Sequence, residues 1–255
     1  MLRLQRFHGA GASLRPQGSS LKHAVWSAAL LAFCASSSIP QAQTSAAQES
    51  PRWTTDSVLN KTDRVASDFR TLTADIEQIK YTAVVNDASS EIGKIFVRRD
   101  QKMRIDLAKP DPKTILRTGD SLFIYTPKIN RVEEYNLGKH RDIIDQYMRL
   151  GFGTKSQDLR KSYDIKLVDE EEIDHRKALL LELTPRSEEV RKQITKIQMW
   201  VDESSWLPIQ QKFFEVSGGD YFLVKYSNMM KNLKIDDSKF KPDWPKNSAH
   251  VKPRQ

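Results

Sequence analysis

The side chains suited to acid–base, nucleophilic or metal chemistry are few and scattered. Beyond residue 47 the histidines are His140, His175 and His250, far apart and without a partner at metal-ligand spacing. Asp169-Glu170-Glu171-Glu172 and Asp236-Asp237 are acidic runs. The first falls between two expected strands, where a solvated turn is the ordinary reading. Gly151-Phe152-Gly153 reads as a helix stop and not as a phosphate cradle. There is no Walker loop, no G-x-G-x-x-G after a strand and no G-x-S-x-G elbow. Arg98-Arg99 is a pair on a strand, not a basic–aromatic stripe on which bases could stack. The expectation is a binding protein and not an enzyme, with no cofactor, no metal and no nucleic-acid partner.

The one cysteine, Cys34, follows Leu31-Ala32-Phe33. A lipid-attachment site needs a small residue before the cysteine, and Phe33 is large. Cys34 therefore reads as part of an apolar export segment. That segment, Ala24 to Ala35, follows a basic stretch ending at Lys22-His23 and precedes small and polar residues from Ser36 to Ala47. A dozen apolar residues are too few to span a bilayer, which takes about 20, and fit a signal peptide. Cleavage is expected after Ala42 or Ala47, with residues 1–47 as leader and 48–255 as one mature domain. The mature chain would then have no thiol and no disulfide.

The leader also explains the charge. The chain has 255 residues, 41 Lys+Arg and 33 Asp+Glu, a formal +8. Arg3, Arg6, Arg15 and Lys22 lie in residues 1–47 with no acid, leaving 37 basic against 33 acidic, net +4. A near-balanced mature domain is poor evidence for a polyanion partner.

The elements that must position any site follow from periodicity. Residues 52–73 carry Val58, Leu59, Thr62, Val65, Ala66, Phe69 and Leu72 at helical spacing behind Thr55 and Asp56 as caps. From residue 74 the period is two. Strands are expected at 74–85, 91–99, 102–107, 113–118, 121–126 and 131–137, separated by turns such as Asn86-Asp87 and Pro127-Lys128. A helix at 139–150, apolar at Ile143, Ile144, Tyr147, Met148 and Leu150, and a short one at 156–161 interrupt the meander. Strands resume at 163–169, 173–184, 193–203, 207–217 and 220–228, with Gly218-Gly219 as the last tight turn. The tail from Ile235 reads as an irregular strap. Nothing repeats at a fixed period.

Within this pattern one segment resembles a known family. Val97-Arg98-Arg99-Asp100-Gln101-Lys102-Met103-Arg104-Ile105-Asp106, then Pro110-Asp111, then Ile115 through Thr118-Gly119-Asp120 to Tyr125-Thr126-Pro127, is similar to the core of LolA, a periplasmic carrier of outer-membrane lipoproteins. The helix running into Phe69, Leu72 and Gln78, and the closing Ile235 to Pro242, extend the resemblance over most of residues 55–245. The chain has Arg99-Asp100 where the family has Arg-Pro, Met103 and Ile105 where it has Phe and Trp, and Thr118-Gly119 where it has Asp-Gly.

The resemblance implies a mainly β, α+β fold: a half-open antiparallel barrel of about 11 strands, capped by helices around an apolar cavity. It implies a monomeric periplasmic carrier that takes lipoprotein acyl chains from an inner-membrane release complex and passes them to an outer-membrane acceptor. An envelope lipid- or glycolipid-binding protein, or a stress sensor on the same fold, is the alternative. It also implies a lid latch at Arg99, whose family counterpart hydrogen-bonds carbonyls of the capping helices. The period of two puts Met103, Ile105 and Leu107 on one face of their strand. Met103 and Ile105 are accordingly assigned to the cavity, Ile115 and Phe123 beside them, and Leu59, Ile144 and Met148 to the lid. Core packing is the competing reading of each.

Overall fold

The computed structural model describes residues 52–138 and 150–253. The expected leader, and Ile144 and Met148 with most of the expected 139–150 helix, lie outside the described residues.

Helix α1 spans Thr55–Asp68 and is capped by Thr54, one residue before the expected caps. Thr54 and Ser57 form a reciprocal capping box: the Ser57 amide donates to Thr54 Oγ1 at 3.1 Å and the Thr54 amide to Ser57 Oγ at 2.8 Å. The helix stops earlier than expected because Phe69 turns extended (φ −66°, ψ 127°) and delivers the chain into a strand. Its apolar stripe Val58, Leu59 and Ala66 is buried.

The first meander comprises β1 (Thr71–Thr82), β2 (Asp87–Arg98), β3 (Lys102–Lys109), β4 (Lys113–Thr118), β5 (Ser121–Thr126) and β6 (Arg131–Asn136). After α2 (Ser156–Ser162) come β7 (Tyr163–Ile173), β8 (Arg176–Pro185), the one-turn helix α3 (Glu188–Arg191), β9 (Ile194–Asp202), β10 (Pro208–Glu215) and β11 (Tyr221–Lys231). A three-residue strand, β12 (Ala249–Val251), ends the order.

All twelve lie in one sheet, ordered β12-β6-β5-β4-β3-β2-β1-β11-β10-β9-β8-β7. The expected eleven antiparallel strands are β1 to β11, and β12 adds a parallel partner to β6. The sheet is open, with edges at β7 and β12. Its two meanders are joined by the pairing of β1 with β11, the first long strand with the last.

One expectation is corrected at the edge. Asp169–Glu172 does not form a turn; it lies within β7, and the turn falls at Asp174-His175, both at positive φ. Two consecutive positive-φ residues make the hairpin turn that matches strand twist. Acids on an edge strand discourage pairing with a further chain.

The main core lies on one face of the sheet. It joins Leu72, Ala74 and Ile76 of β1 to Ile95 and Val97 of β2, to Leu179, Leu181 and Leu183 of β8, and to Val58 and Leu59 of α1. A smaller cluster of Ala178, Leu180, Trp200 and Ile209 covers part of the other face. There the C-terminal strap also packs, with Phe240 buried.

Candidate ligand-binding hollow

Cross-strand register assembles the candidate site. Ile76 lies opposite Tyr226, and Gln78 opposite Val224. Val224 is in turn opposite Gln211, and Phe222 opposite Phe213. On the other flank Ile95 faces Ile105 and Val97 faces Met103. Directly paired residues share a face, so these side chains converge. All of them but Val97 wall a hollow of about 400 Å³, completed by Gln193, Ile194 and Glu215.

The walls are apolar, and the polar groups divide by depth. Inside, Gln211 is buried; it accepts the Tyr226 hydroxyl proton at Oε1 (2.8 Å) and donates through Nε2 to the Leu150 carbonyl (2.7 Å). Burial pushes the Tyr226 phenol up, so it stays a neutral donor. Of the others, Gln193 is exposed, and Gln78 and Glu215 are half-buried. A larger groove of about 920 Å³ crosses elsewhere, but Asp75, Glu77, Lys94 and Lys225 line it. Its charges pair as Lys94–Asp75 and Lys225–Glu77, a poor wall for a hydrocarbon chain.

The structure places the sequence-assigned residues as follows. Met103 and Ile105 line the hollow. Ile115 pairs with Ile105 on the same face and packs half-buried against the core, but is not part of the hollow's wall. Leu59 is buried within the main core. Phe123 is on the opposite face, which corrects its assignment. Ile115 is registered against Ile124, and Phe123 against Leu116. Phe123 packs on the other side against Trp244 of the strap, ring centroids 5.4 Å apart. Ile144 and Met148 lie outside the described residues.

Most of the wall was missed by sequence reasoning: Ile76, Ile95, Gln211, Phe213, Phe222, Val224 and Tyr226. The alternation within 207–217 and 220–228 signals which residues share a face. It does not say that β11 returns to pair with β1.

Arg99 is exposed at the end of β2. Its amide donates to the Arg70 carbonyl at 2.8 Å, and its Nη1 to the Ser67 carbonyl in the last turn of α1 at 3.4 Å. Its neighbour Arg98 turns to the strap. The Arg98 guanidinium pairs with Asp100 (2.8 Å) and Asp237 (2.6 Å) and sits 4.9 Å from the Phe240 ring centroid. Arg104, buried, binds Asp106 at 2.6 Å and Asp243 at 2.8 Å. Lys239 and Arg104 hold the Asp106 carboxyl below its ordinary range against its burial.

Among the described residues no group of three or more His, Cys, Asp or Glu could hold a metal ion, and no helix is long and apolar enough to cross a membrane.

Comparison with solved structures places this fold. A conserved, uncharacterized protein of Thermus thermophilus superposes with a TM-score of 0.51 at 10% identity, covering 78% of this chain and 98% of its own. A LolA superfamily protein of Nitrosomonas europaea gives a TM-score of 0.39 at 18% identity, covering 74% and 98%. The Mycobacterium tuberculosis lipoprotein LppX gives 0.43 at 13%, covering 71% and 100%. No curated relative matches the sequence. The model of the family "Outer membrane lipoprotein carrier protein LolA" matches residues 67–243, a span that includes every described residue of the hollow, and the chain belongs to that family.

Proposed function

We propose that this protein is an exported periplasmic carrier that binds the acyl chains of lipoproteins in the hollow between β1–β3 and β9–β11. In this reading residues 1–47 are removed on export and residues 48–255 act as one carrier domain. The carrier works as a monomer, takes cargo from an inner-membrane release complex and yields it to an outer-membrane acceptor.

The observation that carries the reading is the apolar hollow itself, on the concealed face of a LolA-family sheet, walled by Met103 and Ile105. Hydrocarbon gains about 0.8 kcal/mol per methylene on leaving water. A bilayer and an apolar pocket are nearly equivalent solvents for it, so transfer between them needs no covalent step and no cofactor. Met103 suits variable cargo because a thioether chain is flexible and polarizable.

The test is native mass spectrometry of the protein purified from its own host. Bound lipid or lipoprotein is expected, released by detergent. A protein that is always empty and shows no affinity for acyl chains would reject the proposal.

A further inference from the structure

Two hairpin turns stand side by side at one end of the sheet, and both present aliphatic side chains to solvent. Between β1 and β2, Val84 is 92% exposed and Val85 66%; between β10 and β11, Val216 is 52% exposed. The turns are tied together. The Ala83 amide donates to Asp220 Oδ1 at 2.7 Å, and a Cβ on Gly219 would lie 3.2 Å from the Ala83 Cβ. Single exposed valines need no explanation, but three gathered on adjoining turns make a patch.

Behind the turns the outer face of the sheet changes composition in steps. Tyr81 is registered against Tyr221 and stacks on it at 4.9 Å, with Phe214 on the next strand opposite Tyr221. One step further back, Lys212 is registered against Leu223 and lays its ammonium 3.8 Å from the Tyr221 ring centroid and 4.8 Å from that of Phe214. Lys196, opposite Phe214, pairs with Glu182 at 2.8 Å. Lys212 makes no ion pair with any described residue, and its burial together with nearby Lys196 holds it below the ordinary lysine range. An anion would relieve that strain on the charge.

Aliphatic tip, aromatic ring, then lysine is the order in which a lipid surface is layered. Aliphatic groups favour the hydrocarbon, tyrosines the interface, and ammoniums the anionic headgroups. Three valine side chains offer far less than the roughly 800 Å² that each partner buries in a stable protein complex, whereas reversible contact with a leaflet needs only a small apolar area and a headgroup attraction. The hollow is also least covered at this end. The Val216 amide donates to the Gln193 carbonyl at 3.2 Å. Gln193 is exposed, and Phe222 and Glu215 half-buried, whereas Ile76, Ile95 and Met103, farther along the strands, are buried.

We propose that the Val84-Val85 and Val216 turns dip into an anionic lipid leaflet, with Tyr81, Tyr221 and Lys212 at its headgroups, and so bring the less covered end of the hollow to the bilayer. The membrane contact stands on its own; its use in loading or unloading cargo rests on the carrier reading.

The test is flotation of the processed protein, free of cargo, with vesicles of phosphatidylcholine alone and of phosphatidylcholine mixed with phosphatidylglycerol. Binding is expected, tighter to the mixed vesicles. Val84→Asp should weaken it about tenfold or more. Lys212→Gln should reduce the preference for phosphatidylglycerol about fivefold. Val168→Asp, at another exposed apolar position, on the edge strand β7, should change nothing. None of the three lines the hollow, and circular dichroism checks that each variant is folded. A wild type that floats with neither vesicle, or a folded Val84→Asp that floats as well as the wild type, overturns the membrane surface and leaves the carrier reading intact. Loss of delivery to an acceptor protein in Val84→Asp, with no vesicle binding by the wild type, also overturns it and gives the turns to a protein partner. Vesicle binding that follows the expected pattern in a protein with no affinity for acyl chains would uphold the surface and remove the carrier.

Discussion

Tyr226 on β11 gives its hydroxyl proton to Gln211 on β10, 2.8 Å away, and Gln211 donates its own amide proton to the Leu150 carbonyl. The pair is fully buried polar chemistry inside a hydrocarbon wall. It ties two strands of the hollow to the chain that enters the second half of the molecule.

Gln211→Leu is therefore expected to cost about 2–4 kcal/mol, because it leaves both the Tyr226 hydroxyl and the Leu150 carbonyl buried without partners. Tyr226→Phe leaves only the Gln211 oxygen unpaired and should cost about 1–2 kcal/mol. Urea unfolding of the two variants gives the order directly. Equal costs, or a larger cost for Tyr226→Phe, would contradict this account of the pair.

Gly153 holds φ at +72°, and a Cβ there would lie 2.6 Å from Phe69 Cδ1. Gly153→Ala meets two penalties. A left-handed backbone costs an L-residue roughly 1–2 kcal/mol, and overpacking about 1–3 kcal/mol. The contrast is Gly119, also at positive φ but with nothing within 4 Å, where alanine should cost only the first. A thermal-melt comparison in which Gly119→Ala is the worse of the two would refute the steric reading.

Asp202 is buried at the β9–β10 turn and accepts protons from Ser204 Oγ (2.6 Å), Ser205 Oγ (2.6 Å), the Ser205 amide (2.9 Å) and Arg176 (2.9 Å). Burial raises its carboxyl, but these donors outweigh it and hold the group at about 2. A depressed carboxyl contributes stability in full above its unfolded value near 4 and loses it as pH falls toward 2. The contribution at neutral pH is about 2 kcal/mol. Asp202→Asn should show that deficit at pH 7, with the gap narrowing below pH 4 and closing only as pH falls through about 2. A deficit independent of pH would mean that shape and not charge is what the site uses.

The sequence is legible where its signals are local. The helix, most of the strands and most turns follow from spacing and from residues such as Asn86 and Asn130, both left-handed as turns require. Met103 and Ile105 line the hollow together because alternation within β3 is a local property. Phe123 fails for a subtler reason. Alternation fixes the two faces of a strand, but the β4–β5 register decides which residue continues the face of Ile105 and Ile115, and it chooses Ile124. The pairing of Ile76 with Tyr226 is beyond any local signal, since 150 positions separate them, and with it goes half the wall.

The strap offers a fourth test. Phe240 is buried under the Arg98 guanidinium, which also binds Asp237. Phe240→Ala should cost about 3–5 kcal/mol as a large-to-small change. Arg98→Met keeps most of the packing and loses a pair whose Asp237 side chain is 68% exposed, so its cost should stay near 1 kcal/mol or below. Hydrogen exchange at 235–245 should rise strongly in the first variant and little in the second; the reverse pattern would show that charge, not the ring, anchors the strap.

The last prediction concerns Arg99, the expected latch. Its Nη1 reaches the Ser67 carbonyl at the end of α1, while its own amide is held by the Arg70 carbonyl. Arg99→Leu removes the side-chain bond and spares the backbone one. An exposed hydrogen bond of 3.4 Å is weak, so stability should change by less than about 0.5 kcal/mol. The consequence for cargo would be larger than for folding, because the bond joins the sheet that forms the hollow to a helix that packs over it. Losing up to about 0.5 kcal/mol of that contact shifts the opening equilibrium of the helix by about twofold, and a fluorescent acyl probe should enter and leave Arg99→Leu faster by that factor at unchanged affinity. Stopped-flow traces superimposable on the wild type would remove Arg99 from the latch and leave it as a surface arginine. Arg99→Lys separates charge from geometry: an ammonium can still donate to the Ser67 carbonyl, so it should restore part of the wild-type rate.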